Sequence, residues 1–365
     1  MKTKLASWTL AHFAVDMSCF YILFRGVETV YRADGADLAI IGIAIMLYNC
    51  IAFGLQMVFG SLADKHPKIE KAIGAVGLVF MLIPLAIIWI SQSAIASWIS
   101  LVICALLNAA FHVGGGMDVL KESEGRIAPS GIFVSSGALG VVTGTLYGKS
   151  GVGILLPIGV VLMSSILLFL TAKTPSKDGS LVQSKPFPSI ILTKHGVGII
   201  SACLFVAVFI RSYAGIIWPF GFEKTGFLVL LPAVSSCLGK AFGGIIADKV
   251  GAMETAVVSL ALSILLLFLA GDSWIITGIS ILLFNMAMPI TLCGLAAAMP
   301  KHLGFAFGLS TFALLLGYVA YTQIAFNENS FINSKYIITI LGIVAILLIA
   351  LSLRSKTKHH VGKNS

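Results

Sequence analysis

His12 and Asp16 stand four residues apart in an apolar stretch near the start of the chain. On a helix that spacing places an imidazole and a carboxylate on one face, which Cys19 and Leu23 continue. The chemistry open to such a pair is the uptake and release of a proton. Asn108 and His112 repeat the spacing in a later apolar stretch, so His112 is a second titratable candidate. Arg211-Ser212-Tyr213 is a third polar intrusion. A guanidinium cannot discharge itself by deprotonation, so Arg211 needs an acid such as Asp16, an anionic ligand, or a reach to a polar surface. Lys240 either pairs with an acid or extends its ammonium to the interface. Asn285 and Tyr318 read as satisfied packing groups or as cavity lining.

The elements that position these residues are membrane spans. Hydrophobic residues make up 58% of the 365, charged residues only 11%, and mean hydropathy is +1.02. A soluble domain carries about 25% charged residues. Runs of roughly 20 apolar residues, each able to cross a hydrocarbon core of about 30 Å, recur along the chain. They lie near 5–25, 38–59, 72–92, 95–117, 129–149 and 151–172, then near 196–218, 225–246, 252–270, 273–299, 304–325 and 335–353. The reading is an all-α membrane protein of twelve transmembrane helices. An N-terminal bundle takes residues 1–172, a polar linker 173–195, a C-terminal bundle 196–353 and a basic tail 354–365. Open sheets are excluded, because lipid cannot satisfy unpaired backbone groups. Asp16 falls near the middle of its span, where a carboxylate costs roughly 2.5–3.5 kcal/mol on insertion scales, so it is expected to face the protein interior.

A second pattern supports duplication. Gly60-Ser61-Leu62-Ala63-Asp64-Lys65 is echoed by Gly244-Ile245-Ile246-Ala247-Asp248-Lys249, with Asp248 lying 184 residues after Asp64. Each copy joins two apolar runs through what reads as a polar hairpin, at close to half the chain length. In the fifth span Gly140, Gly144 and Gly148 recur every four residues, with Gly137 one turn earlier, a stripe that allows close helix approach.

The formal net charge of +9 reports topology rather than nucleic-acid binding. With the N-terminus placed in the cytoplasm, 18 of the 24 Lys and Arg fall in inner segments and five in outer ones, with Arg211 inside a span. That bias sets both termini on the cytoplasmic side of a cell membrane, with anionic lipid as neighbour. The N-terminus reads as an uncleaved first helix. The six cysteines all lie in spans without metal-ligand spacing, so neither a disulfide nor a metal site is expected, and no cofactor. A membrane enzyme would need a nucleophile–base set near the interface, and a receptor a larger soluble part.

With two Gly-x-x-x-Asp-Lys motifs after the second and eighth spans, the chain resembles the major facilitator superfamily. Within it, His12-Phe13 with Asp16, Phe111-His112, Ser130-Gly131-Ile132-Phe133 before the glycine series, and Arg211-Ser212-Tyr213 leading to Phe220 resemble fosmidomycin-resistance exporters. The chain departs from that pattern at Thr145 and Pro67, usually proline and glycine there, and lacks basic residues after Gly251. The resemblance implies two pseudo-symmetric six-helix bundles and alternating access that moves a small organic molecule and protons; a monomer is expected. In the two-bundle arrangement it implies, Asp64 would lie against the start of the eleventh span, near Gly304, and Asp248, by the same pseudo-symmetry, against the start of the fifth, near Pro129. Asp16, tuned by His12, would be the coupling carboxylate and His112 a second site. Arg211, Tyr213, Asn108, Asn285, Tyr318 and Cys19 would line the substrate path. Gating would fall to Gly60, Asp64, Lys65, Gly244, Asp248, Lys249, Gly140, Gly144 and Gly148. Proton-coupled efflux by an antiporter is the leading expectation, and uptake of a nutrient or organic anion the alternative.

Overall fold

The computed structural model describes residues 2–28, 30, 38–91, 93–151, 153–172, 187–324 and 334–356. Arg32, most of the expected linker and the last residues of the tail lie outside them. Twelve helical spans follow in order. α1 is Lys2–Tyr21, continued as a π-helix over Ile22–Glu28. α2 is Leu38–Lys65, and α3 is Pro67–Val79 with Leu82–Ile90. α4 is Ala94–Glu122, α5 Ala128–Ser150 and α6 Leu155–Ala172. The second half holds α7 Val197–Ile216, α8 Leu231–Val250 and α9 Ala252–Leu269. α10 is Trp274–Asn285 with Ala287–Ala298, α11 Leu303–Ile324 and α12 Lys335–Ser352. Ten are long and apolar enough to cross a membrane, among the described residues; α6 and α8 complete the set. The only β pairing among those residues is an isolated bridge between Leu192 and Leu353.

Both broken spans have the same cause. Proline lacks an amide hydrogen and crowds the carbonyl four residues earlier. Pro84 thus interrupts α3 at Phe80 and Met81, and Pro289 interrupts α10 at Met286. The second break frees carbonyls at the end of Trp274–Asn285, where a helix leaves its last four unpaired.

The repeated motif differs from its expected form. Gly60–Lys65 and Gly244–Lys249 are helical, the last turns of α2 and α8, and the turns are reduced to His66 and Gly251. Nothing in either hexapeptide stops a helix; Pro67 sets the first turn, and Gly251, at φ +126°, the second.

Packing repeats between the halves. α1 packs on α4, α5 and α6, and α7 on α10, α11 and α12. The broadest contacts between halves are α2 against α11 and α5 against α8, which correspond under the repeat. The outward surface is apolar, with Trp89, Ile90, Leu155 and Phe169 all well exposed, as lipid contact requires. The α5 glycine stripe faces α1 within its own half: a Cβ at Gly144 would lie 2.2 Å from the Met17 carbonyl oxygen.

Candidate functional site

The two motif carboxylates are docked on helix starts of the opposite half. Asp64 accepts hydrogen bonds from the amides of Gly304 and Phe305 at 2.9 and 2.8 Å, the first turn of α11. Asp248 accepts from Ile127 and Ala128 at 2.7 and 2.9 Å, at the start of α5. Helix starts carry unpaired N–H groups and about half a positive charge, so each carboxylate meets two donors and a favourable dipole. Gly60 makes the first contact possible, because a Cβ there would sit 2.1 Å from the Gly304 carbonyl oxygen. Gly244 lies likewise against Ala128, while Lys65 and Lys249 are exposed. This end of the molecule is therefore closed by two equivalent links between the halves.

Deeper in the N-terminal half, α1 and α4 bring four predicted residues into one cluster. Asp16 Oδ1 accepts from Asn108 Nδ2 at 2.9 Å, and Asp16 Oδ2 lies 3.2 Å from His12 Nε2. His112 Nε2 lies 3.7 Å from Asp16 Oδ1 and 2.8 Å from His12 Nε2. Each imidazole is fixed from behind by a backbone carbonyl: His12 Nδ1 meets Phe133 O at 2.7 Å, and His112 Nδ1 meets Asn108 O at 2.9 Å. The rings meet edge to face, centroids 4.5 Å apart, and His12 also packs on the Phe133 ring. All four side chains are buried. The donor atoms of His12, Asp16 and His112 lie within 4.8 Å of one another, close enough for the three to share one small cation, a proton included. Cys19 closes the cluster, its sulfur 3.7 Å from Asn108 Nδ2.

Three features of this site are not evident from the spacing rules applied to the sequence: the carbonyl that meets His12, the groups against which Gly137 of the glycine stripe packs, and the part taken by Lys4 with Trp8. Phe133 contributes a carbonyl, for which a side-chain pattern carries no signal. Gly137 lets α5 come close: a Cβ there would lie 2.5 Å from Asp16 Oδ2 and 2.6 Å from His12 Nε2. The third is Lys4 with Trp8, which extend the His12–Asp16 face by steps of four. Lys4 pairs with Asp118 at 2.8 Å and with Glu122, and Trp8 Nε1 donates to Asp118 at 2.7 Å.

The C-terminal half holds the other candidates, and one expectation is corrected. Arg211 does not pair with Asp16, whose oxygens are engaged by Asn108 and the imidazoles. Its Nη2 donates to Phe284 O at 3.1 Å, a carbonyl freed by the α10 break, and its guanidinium lies over the Phe284 ring. Arg211 is buried, with 6% relative exposure, and its Nε has no acceptor among the described residues. Tyr213 is buried, and its hydroxyl has no partner among the described residues. Asn285 is satisfied within the half, donating to Ile281 O at 2.9 Å and accepting from Ser236 at 3.1 Å. Tyr318 and Lys240 are half-buried. Separately, a 280 Å³ cavity opens at the other end of the N-terminal half, lined by Tyr21, Arg25, Ile88, Trp89 and Ser97 among others.

Solved structures share this architecture. One of the Escherichia coli fucose:proton symporter superposes with a TM-score of 0.67 at 12% identity, covering 95% of this chain and 97% of that one. A second, described as a major facilitator superfamily transporter in the outward conformation, gives 0.62 at 12% identity over 92% and 97%. The human organic anion transporter MFSD10 gives 0.62 at 14% identity over 95% and 98%. The fold is therefore the major facilitator fold. No family model and no curated protein matches the sequence.

Proposed function

We propose that the protein is a secondary active transporter, moving a small organic molecule through a membrane by alternating access coupled to protons. The observation that carries this reading is the buried Asp16–His12–His112 cluster. Ionisable groups inside a membrane bundle are costly, and in this fold they sit beside the surfaces that must separate during transport. The docked carboxylates Asp64 and Asp248 supply the other requirement. They hold one end shut through contacts that form only while the halves meet there, and we assign that end to the cytoplasm from the distribution of Lys and Arg.

The transported molecule carries an anionic group on this reading. Arg211 is buried, and among the described residues no carboxylate pairs with it. The half-buried ammonium of Lys240 lies on the same half of the molecule. Residue matches in helices 1, 4, 5, 7 and 8 favour export of the fosmidomycin-resistance type; an unpaired arginine serves uptake of an organic anion equally well. A screen of small organic acids, comparing accumulation in cells with and without the protein, tests both. Lower accumulation that a protonophore abolishes supports export, higher accumulation supports uptake, and no difference for any compound contradicts the proposal.

A further inference from the structure

The cluster fixes where a proton must lie. A backbone carbonyl only accepts hydrogen bonds, so the nitrogen facing it has to carry a hydrogen. His12 Nδ1 faces Phe133 O at 2.7 Å, and His112 Nδ1 faces Asn108 O at 2.9 Å. Both Nδ1 atoms are therefore N–H donors. In a neutral imidazole the other nitrogen then bears a bare lone pair. Two neutral rings would thus point lone pairs at each other across the 2.8 Å between His12 Nε2 and His112 Nε2. That separation is a hydrogen-bond length, and a hydrogen bond needs one hydrogen.

Moving the proton to Asp16 does not resolve the conflict. A protonated carboxyl could serve one imidazole nitrogen, and the two lone pairs would still meet. A tetrahedral zinc ion is disfavoured as well. With Zn–N bonds of about 2.0–2.1 Å, its nitrogen ligands stand roughly 3.3 Å apart. We infer that His12 and His112 form a single proton-binding site, in which one proton is shared between the two Nε2 atoms and Asp16 is the fixed counter-charge. The inference rests on the proton-coupled reading above and changes the roles within it: the histidine pair is the carrier, and Asp16 and Asn108 hold it in place.

The charges balance. One imidazolium and one carboxylate make a neutral cluster, which is what a buried site tolerates. The shared hydrogen belongs to His12, the ring nearer the carboxylate, at 3.2 Å against 3.7 Å for His112. Loss of the proton leaves two neutral rings and a net negative charge. The rings then repel at their present separation, and the α1–α4 contact loosens. Among the described residues, the titratable groups that face the cluster from neighbouring elements are the Tyr48 hydroxyl of α2, the Cys104 thiol of α4 through Cys19 and, from the opposite half, Lys240 of α8. From α5 come the Phe133 ring and Gly137. No carboxylate besides Asp16 is among them.

Infrared difference spectra of the full-length protein in lipid bilayers, recorded through a pH step with chelator present, read the site directly. The expected result is a change in imidazole bands that is lost in His12→Gln and in His112→Gln. It comes without a carboxylic-acid C=O band that Asp16→Asn removes. Such a band in the wild type, absent from Asp16→Asn, would put the proton on Asp16 and overturn the inference. Imidazole bands that appear only on adding Zn²⁺ would replace the proton with a metal centre, and also overturn it. If the histidine variants do not fold, wild-type protein with ¹⁵N-labelled histidine still decides. Two Nε2 signals coupled through one proton support the pair, and two uncoupled, unprotonated signals refute it. Flux indifferent to a proton gradient, with these spectra intact, would remove the coupled function and leave the proton site standing.

Discussion

The carboxylate of Asp64 rests on the amide of Gly304, 240 residues away in sequence, at 2.9 Å. Its counterpart Asp248 rests on the amide of Ile127 at 2.7 Å. Each carboxylate spans two successive amides, so neutralising it removes charge-assisted bonds and a dipole contact together. Asp64→Asn and Asp248→Asn are each expected to favour opening of that end. A loss of about 1.4 kcal/mol changes the closed-to-open ratio tenfold. Thiol labelling of a cysteine introduced at the start of α11 measures the ratio. Faster labelling in both variants is the predicted outcome, and unchanged labelling in both would reduce the motif to a folding signal.

Arg211 offers a sharper test than a charge deletion. Arg211→Lys keeps the charge and loses the planar fork, so it is expected to weaken binding of an anionic substrate markedly. The cost is about tenfold or more if a bidentate contact is lost, since hydrogen bonds to charged groups contribute roughly 1.5–3 kcal/mol each. Transport KM for Arg211→Lys and Arg211→Gln reads the effect. Normal KM in both would assign Arg211 to the Phe284 carbonyl alone.

Close packing between α1 and α5 makes a stability prediction. A Cβ at Gly144 would meet the Met17 carbonyl at 2.2 Å, and backbone cannot step aside cheaply. Gly144→Ala is expected to cost at least the 1–3 kcal/mol or so typical of overpacking. Gly159 on α6 has nothing within 4 Å of its would-be Cβ, so Gly159→Ala is expected to be neutral or stabilising by up to about 1 kcal/mol. Thermal unfolding of the detergent-solubilised variants gives the comparison. Equal midpoints would contradict the packing seen here.

Much of this architecture was legible in the sequence, because lipid imposes simple rules. Apolar run length located twelve spans. The resemblance to the major facilitator superfamily anticipated the docking of Asp64 on α11, and the half-length repeat carried it over to Asp248 on α5. The helical form of the two motifs was not legible: their glycines suggested a turn, while the backbone runs on to His66 and Gly251. The cluster was legible in its members and hidden in its assembly. Steps of four placed His12 with Asp16 and Asn108 with His112, whereas their meeting depends on α1 crossing α4 and on a backbone carbonyl at Phe133. The Arg211 partner was hidden for a related reason. The Phe284 carbonyl is available only because Pro289 breaks α10.

Asp16 is the residue on which the functional account turns. Asparagine keeps its shape and its bond to Asn108, and it cannot balance the charge of an imidazolium shared by His12 and His112. Insertion and folding of Asp16→Asn are expected to be preserved, checked by elution profile and thermal midpoint.

The most direct measurement is substrate flux in proteoliposomes under an imposed proton gradient, with wild type and Asp16→Asn reconstituted at equal density and the substrate taken from the accumulation screen. The account predicts gradient-driven flux in the wild type and its loss in Asp16→Asn, with exchange down a substrate gradient retained. Equal gradient-driven flux by the two proteins would contradict it.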